Sequence, residues 1–205
     1  MITADLIKHY PIISDQVDVR ELTVLLTELE KLLEKDADGA IVEFGCYAGT
    51  TSLFIRRLLD AYRSECVYHV YDSFEGLPEK TEQDRSVAGD QFVTGELHAP
   101  RKLFMENFKK AGLRPPIVHK GWFSQVPDDA VPDSIVFAFL DGDYYESIRD
   151  SLRLITPKLA SGSVIVVDDY MNEALPGAAV AIDEWLRGRN CSVRTIASLA
   201  IITIR

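Results

Sequence analysis

From Val19 to Glu34 the apolar residues Leu22, Leu25, Leu26, Leu29, Leu32 and Leu33 recur at steps of three and four, the spacing of one helical face. The next apolar segment, Ala40 to Phe44, has strand length and ends in Gly45-Cys-Tyr-Ala-Gly49, after which Leu53, Phe54, Leu58 and Leu59 resume helical spacing. Cys66 to Tyr71 predicts a second strand, which runs into Asp72-Ser-Phe-Glu-Gly-Leu-Pro78, where Gly and Pro end regular structure. The polar stretch from Glu79 to Gly95 predicts a mobile loop. Leu103, Phe104 and Phe108 predict a helix stopped by Gly112 and Pro115-Pro116, and Ile117 to Lys120 a third strand. Ile135 to Leu140 is apolar at every position, as a central strand covered on both faces requires.

That strand stops at Asp141-Gly-Asp143. Tyr145, Ile148, Leu152, Ile155 and Leu159 then trace a helix closed by Ser161-Gly162, and Val164 to Val167 a fifth strand that ends at Asp168-Asp169. After a helix near Ala178 to Arg187 come Cys191 to Ile196 and Leu199 to Ile204, joined too closely for a crossover and so expected to pair antiparallel. The predicted class is α/β: a mostly parallel seven-stranded sheet with an antiparallel C-terminal hairpin and helices on both faces. Residues 1–205 read as one domain, with a leading helical segment over 1–38 and a core over 39–205.

Charge narrows the partners. The 22 Lys+Arg against 32 Asp+Glu leave a net charge of −10, a field that repels phosphate backbones and anionic lipid surfaces. Neither nucleic acid nor a membrane is the expected partner. No apolar run approaches the ~20 residues that cross a bilayer, and the MITADLIKHY start has neither a basic cluster nor a continuous apolar stretch. A soluble, cytoplasmic protein is expected. The scattered Cys46, Cys66 and Cys191 show no C-x-x-C spacing and read as thiols of a reducing compartment. His9, His69, His98 and His119 lack metal-ligand spacing, and no G-x-S-x-G elbow supplies a serine nucleophile.

Ligands of open α/β sheets bind beyond the carboxyl ends of the strands, so the polar residues there are the candidates. In Glu43-Phe-Gly45-Cys-Tyr-Ala-Gly49 the glycines allow close backbone approach, and Glu43 suits an ammonium-bearing ligand. The pattern is not the G-x-G-x-x-G of dinucleotide binding, since Tyr47 and Ala48 fill the place of a second close glycine. A plain tight turn is the alternative. Asp72 stands where an acid accepts hydrogen bonds from ribose hydroxyls, or else caps its own turn at Ser73 or Phe74. Trp122 offers a wall for a base or is simply core. Asp141, Asp143, Asp168 and Asp169 would repel one another unless a cation or proton sits among them, and oxygen ligands favour Mg²⁺. For Asp143 a capping box with Glu146 is the competing explanation. Successive strand residues face opposite sides, so one of Asp168 and Asp169 points away unless the strand has already turned.

Together, Glu43 to Gly49, Asp72 to Pro78, Phe139-Leu-Asp-Gly-Asp-Tyr-Tyr-Glu146 and Val167-Asp-Asp-Tyr170 resemble the macrocin O-methyltransferase family, and Pro176-Gly177 with Ala181 to Trp185 resembles its closing helix. The resemblance runs from about Gly39 to Leu186. It implies a Rossmann-like, class I, S-adenosylmethionine-dependent enzyme that uses a divalent metal, Mg²⁺, to methylate hydroxyls of sugar-bearing natural products. Glu43 would hold the methionine ammonium. Gly45, Tyr47 and Gly49 would line the cofactor together with Ser73, Trp122 and Asp141, and Asp72 would bind its ribose. Asp141, Asp168 and Asp169 would ligate the metal and Asp143 would act as general base. The implied partner is a small-molecule acceptor with a sugar or diol hydroxyl, and a homo-oligomer is compatible with the fold. A nicotinamide-dependent oxidoreductase shares the fold, and a non-catalytic cofactor-binding scaffold is a third reading.

Overall fold

The computed structural model describes residues 1–89 and 91–205; Asp90, within the stretch expected to be mobile, lies outside the described residues. Seven strands form one sheet in the order β3-β2-β1-β4-β5-β7-β6: β1 (Ala40–Phe44), β2 (Tyr68–Asp72), β3 (Ile117–Lys120), β4 (Ile135–Leu140), β5 (Leu159–Val167), β6 (Cys191–Ile196) and β7 (Leu199–Ile204). The first five run parallel, while β7 pairs antiparallel with both β5 and β6. Strand order reverses between β1 and β4, which opens a crevice beyond their carboxyl ends.

The helices are α1 (Ile2–His9), α2 (Val19–Leu33), α3 (Thr50–Ala61), α4 (Arg101–Ala111), α5 (Tyr145–Ile155) and α6 (Pro176–Leu186). Strand residues alternate between two apolar layers because successive side chains leave opposite faces. Phe137, Phe139, Val164 and Val166 pack with Leu22, Leu26, Leu29, Phe54, Leu58, Phe104 and Phe108. Ala138, Leu140, Ile165 and Val167 pack with Ile148, Leu152, Ala181 and Ile182 on the other side. Both faces of the central strands are thus covered, which leaves their ends open to ligands.

Three local expectations shift. The N-terminal segment forms α1, which docks by the Ile2 N–H donating to Glu30 Oε1 at 2.6 Å. Pro157 stops α5 early, so Leu159 to Gly162 begin β5 instead of closing the helix. Within the polar stretch, Glu82–Asp84 forms a 3₁₀ turn whose Asp84 is 1% exposed, an anchor rather than a solvated loop residue.

Candidate active site

Parallel pairing sets the site in register. The N–H of Gly45 donates to Tyr71 O at 2.9 Å, that of Asp141 to Phe44 O at 2.8 Å, and that of Asp168 to Leu140 O at 2.8 Å. The residues that follow β1, β4 and β5 therefore stand side by side. Gly45 has φ +89°, and a Cβ there would lie 1.8 Å from the Asp141 carbonyl oxygen, so the turn tolerates only glycine. Gly49, at φ +88°, starts α3 against the ring of Phe104.

Asp72 closes the same turn. Its Oδ2 accepts from the N–H groups of Cys46 (2.8 Å) and Tyr47 (3.2 Å), and its Oδ1 from the N–H of Phe74 (2.6 Å). The turn-capping role is thus filled, with three of the four carboxylate lone pairs taken. Ser73 accepts from Glu75 N–H at 3.0 Å. A cavity of about 600 Å³ is lined by Gly45, Tyr47, Asp72, Ser73, Trp122, Asp141, Asp143, Asp168 and Asp169 among others. Glu43 is not on that wall. It is fully buried behind the turn, its Oε2 accepting from Ser52 Oγ (2.6 Å) and from the Tyr68 hydroxyl, while Oε1 has no partner. Burial pushes its carboxyl up to about 7 against the pull of those hydrogen bonds.

The acids gather as a group. One carboxylate oxygen each of Asp141, Asp143 and Asp169 lie within 4.8 Å of one another. Asp168 lines the same cavity outside that trio, its Oδ1 accepting from Asp169 N–H at 2.9 Å. Asp143 and Asp169 have φ +59° and +58°, so each chain has turned sharply at the strand end and Asp169 faces its neighbours. The capping box of Asp143 with Glu146 does not form: Tyr144 is the cap position of α5, and the Tyr145 N–H donates instead to Asp84 Oδ1 at 2.7 Å. Burial, then the charge of neighbouring aspartates, holds Asp141 and Asp143 well above the usual carboxylate range and Asp168 at about 7; burial also raises Asp169. An all-oxygen donor set of this charge fits a hard divalent cation.

Four contributors had no role in the sequence reading. Asn172 Nδ2 donates to Asp169 Oδ1 at 2.8 Å and fixes its orientation. Glu21 of α2 and Ser198, between β6 and β7, reach the cavity wall from opposite ends of the chain. Asp84 also packs against Gly177 of α6, where a Cβ would sit 1.8 Å from its Oδ1. Only Asp84 had a local signal, the Thr81-Glu-Gln-Asp84 capping-box pattern.

Known proteins resemble the chain in sequence and in fold. The family model described as macrocin-O-methyltransferase matches residues 14–198. The 8-demethyl-8-(2,3-dimethoxy-alpha-L-rhamnosyl)-tetracenomycin-C 4'-O-methyltransferase of Streptomyces olivaceus is 32% identical over 164 residues, covering 77% of this chain and 63% of its own. Demethyldecarbamoylnovobiocin O-methyltransferase of Streptomyces niveus is 29% identical over 178 residues, covering 82% of this chain and 66% of its own. The chain thus spans just under two thirds of the length of these relatives. The solved O-methyltransferase NovP superposes with a TM-score of 0.79 at 24% identity, over 92% of this chain and 81% of that one, a likeness of fold. The shared fold and the match across residues 14–198 place the chain in the macrocin-O-methyltransferase family.

Proposed function

We propose that this chain transfers a methyl group from S-adenosylmethionine to a hydroxyl of a sugar-bearing or other small-molecule natural product, with Mg²⁺ as the cation. The observation that carries the reading is the juxtaposition of a glycine turn capped by Asp72 with the Asp141, Asp143, Asp168 and Asp169 group in one cavity.

Gly45 and Tyr47 would give the cofactor a backbone surface, Ser73 and Trp122 line the same cavity, and Asp72 would offer its fourth lone pair to a ribose hydroxyl. Gly49, which is not on that lining, would act by starting α3 against Phe104. Glu43 supports the turn from behind through Ser52 and Tyr68. Asp141, Asp168 and Asp169 would hold Mg²⁺, whose contribution is to lower the pKa of an acceptor hydroxyl and orient it. The sulfonium supplies an already activated methyl group, so the protein's work is positioning and proton removal. Asp143 would accept that proton from its place beside Asp141 and Asp169. Among the described residues, no Lys, Arg or His lines the cavity, which suits an acceptor without phosphate groups.

The test is calorimetric binding of S-adenosylmethionine, S-adenosylhomocysteine and NAD, each with Mg²⁺ and again with a chelator. Binding of the two adenosyl sulfur compounds without NAD supports the reading; NAD alone, or none of the three, overturns it. Once an acceptor is found, Asp143→Asn should abolish turnover with cofactor binding retained, and Asp168→Asn should chiefly weaken cation dependence. Wild-type activity in both variants refutes the assignment.

A further inference from the structure

Ser198 sits in the turn between β6 and β7 and touches two carboxylates from distant parts of the chain. Its N–H donates to Glu21 Oε1 at 3.3 Å, and its hydroxyl donates to the same oxygen. The hydroxyl oxygen also lies 3.3 Å from Asp168 Oδ1. A serine hydroxyl has one proton, so it serves Glu21 or Asp168 but not both at once. The closer contact is to Glu21, whose single oxygen also collects the backbone donor. The carbonyl of Ser198 in turn accepts from Met171 N–H at 3.0 Å, tying this turn to the one that carries Asp169.

We propose that Glu21 is a positioning residue for the cation site: by accepting the Ser198 hydroxyl hydrogen bond it leaves Asp168 without that competing donor. With a neutral acceptor at position 21, the hydroxyl turns its proton to Asp168 Oδ1 and draws that carboxylate's charge away from a cation. This inference rests on the cation-binding part of the proposed function. It brings α2, from the leading segment, into the chemistry of the strand ends.

The test measures Mn²⁺ binding to the full chain, by the paramagnetic signal of the free ion, in wild type, Glu21→Gln and the double variant Glu21→Gln/Ser198→Ala, with thermal midpoints recorded for each. Gln keeps the size and shape of Glu21 but not the charge that holds the Ser198 proton against Asp168, so a purely steric role would leave affinity unchanged. The expected result is a loss of about tenfold or more in Glu21→Gln, the scale on which such outer partners tune metal sites, with an unchanged thermal midpoint. Removing the hydroxyl as well should restore most of the lost affinity, because no proton remains to compete at Asp168. Wild-type affinity in Glu21→Gln overturns the inference. A loss that the double variant does not recover also overturns it, since the charge of Glu21 would then act directly. If the wild type binds no Mn²⁺, the cation reading fails and this inference fails with it.

Discussion

Asp84→Ala should open the 79–88 segment while leaving the sheet intact. In the native structure Asp84 Oδ2 accepts from Thr81 N–H (2.8 Å) and Thr81 Oγ1 (2.7 Å), and Oδ1 from Tyr145 N–H (2.7 Å). The threonine hydroxyl can turn to water, but the two backbone donors lose their acceptor. Each stranded buried donor costs about 1–3 kcal/mol, so the pair costs about 4 kcal/mol. That is a large share of the roughly 5–15 kcal/mol that stabilises a domain as a whole. Much of it can be relieved by local opening, because among the described residues the segment's other side-chain ties are few: the Ser86 hydroxyl to Glu173 O at 2.6 Å, and Lys80, whose ammonium donates to Gln91 O at 2.7 Å and lies 5.9 Å from the Tyr144 ring centroid. At about 1.4 kcal/mol per decade, the opening equilibrium should rise by about three decades. Amide hydrogen exchange read at Thr81, Arg85 and Tyr145 checks this, with Val42 and Ala138 of the central strands as internal references. Asp84→Asn should fall between the two, since its amide can still accept from Tyr145 N–H but presents a donor to Thr81. Exchange at Thr81 and Tyr145 within a few-fold of wild type in Asp84→Ala would refute the anchoring role.

Gly45→Ala forces a Cβ into the Asp141 carbonyl at a φ of +89°, and the combined strain and displacement should cost about 3 kcal/mol in urea denaturation and abolish adenosyl-ligand binding. Glu43 has a folded pKa of about 7, above its ordinary 4.5, so its contribution to stability is complete below pH 4.5 and is lost as pH rises through 7. Glu43→Gln should therefore gain stability relative to wild type between pH 5 and pH 8, by up to about 3 kcal/mol, in denaturant titrations run at both values. A difference that does not change with pH would contradict the buried, unpartnered placement of Oε1. The stacked His69 and His119, with ring nitrogens 3.0 Å apart, act in the opposite sense: burial and the neighbouring imidazole lower His69 from 6.5 to about 4. Stability from His69 is present above pH 6.5 and lost as pH falls through 4, and His69→Gln should flatten that limb of the curve.

The strands and the acids at their ends were legible because both rest on local patterns. Ile135–Leu140 has no polar position until Asp141, and the glycines of the β1–α3 turn mark a backbone that must pass close to something, which proves to be the Asp141 carbonyl. The end of α5 was misplaced because Leu159 continues the helical spacing, although Pro157 removes the conformation needed to extend it. The burial of Glu43 was invisible, since a carboxylate at a strand's end reads as a ligand unless one knows that Ser52 and Tyr68 close over it. Asp143 illustrates the reverse. Its spacing to Glu146 satisfies a capping motif, yet the donor it would cap is taken by Asp84, 61 residues away. Glu21 and Ser198 carry no local signal at all, and their meeting depends on the C-terminal hairpin folding back beside β5.

That meeting spans 177 residues of sequence. Contacts so far apart are entropically the slowest to close, and the antiparallel hairpin that supplies one half follows every other strand of the sheet along the chain. The central parallel strands can pair before it arrives, but the wall of the cavity at Ser198 cannot be in place. Ligand-binding competence and completion of folding are therefore tied together. A chain caught before β7 inserts between β5 and β6 would show much of its secondary structure while its cavity remained unfinished.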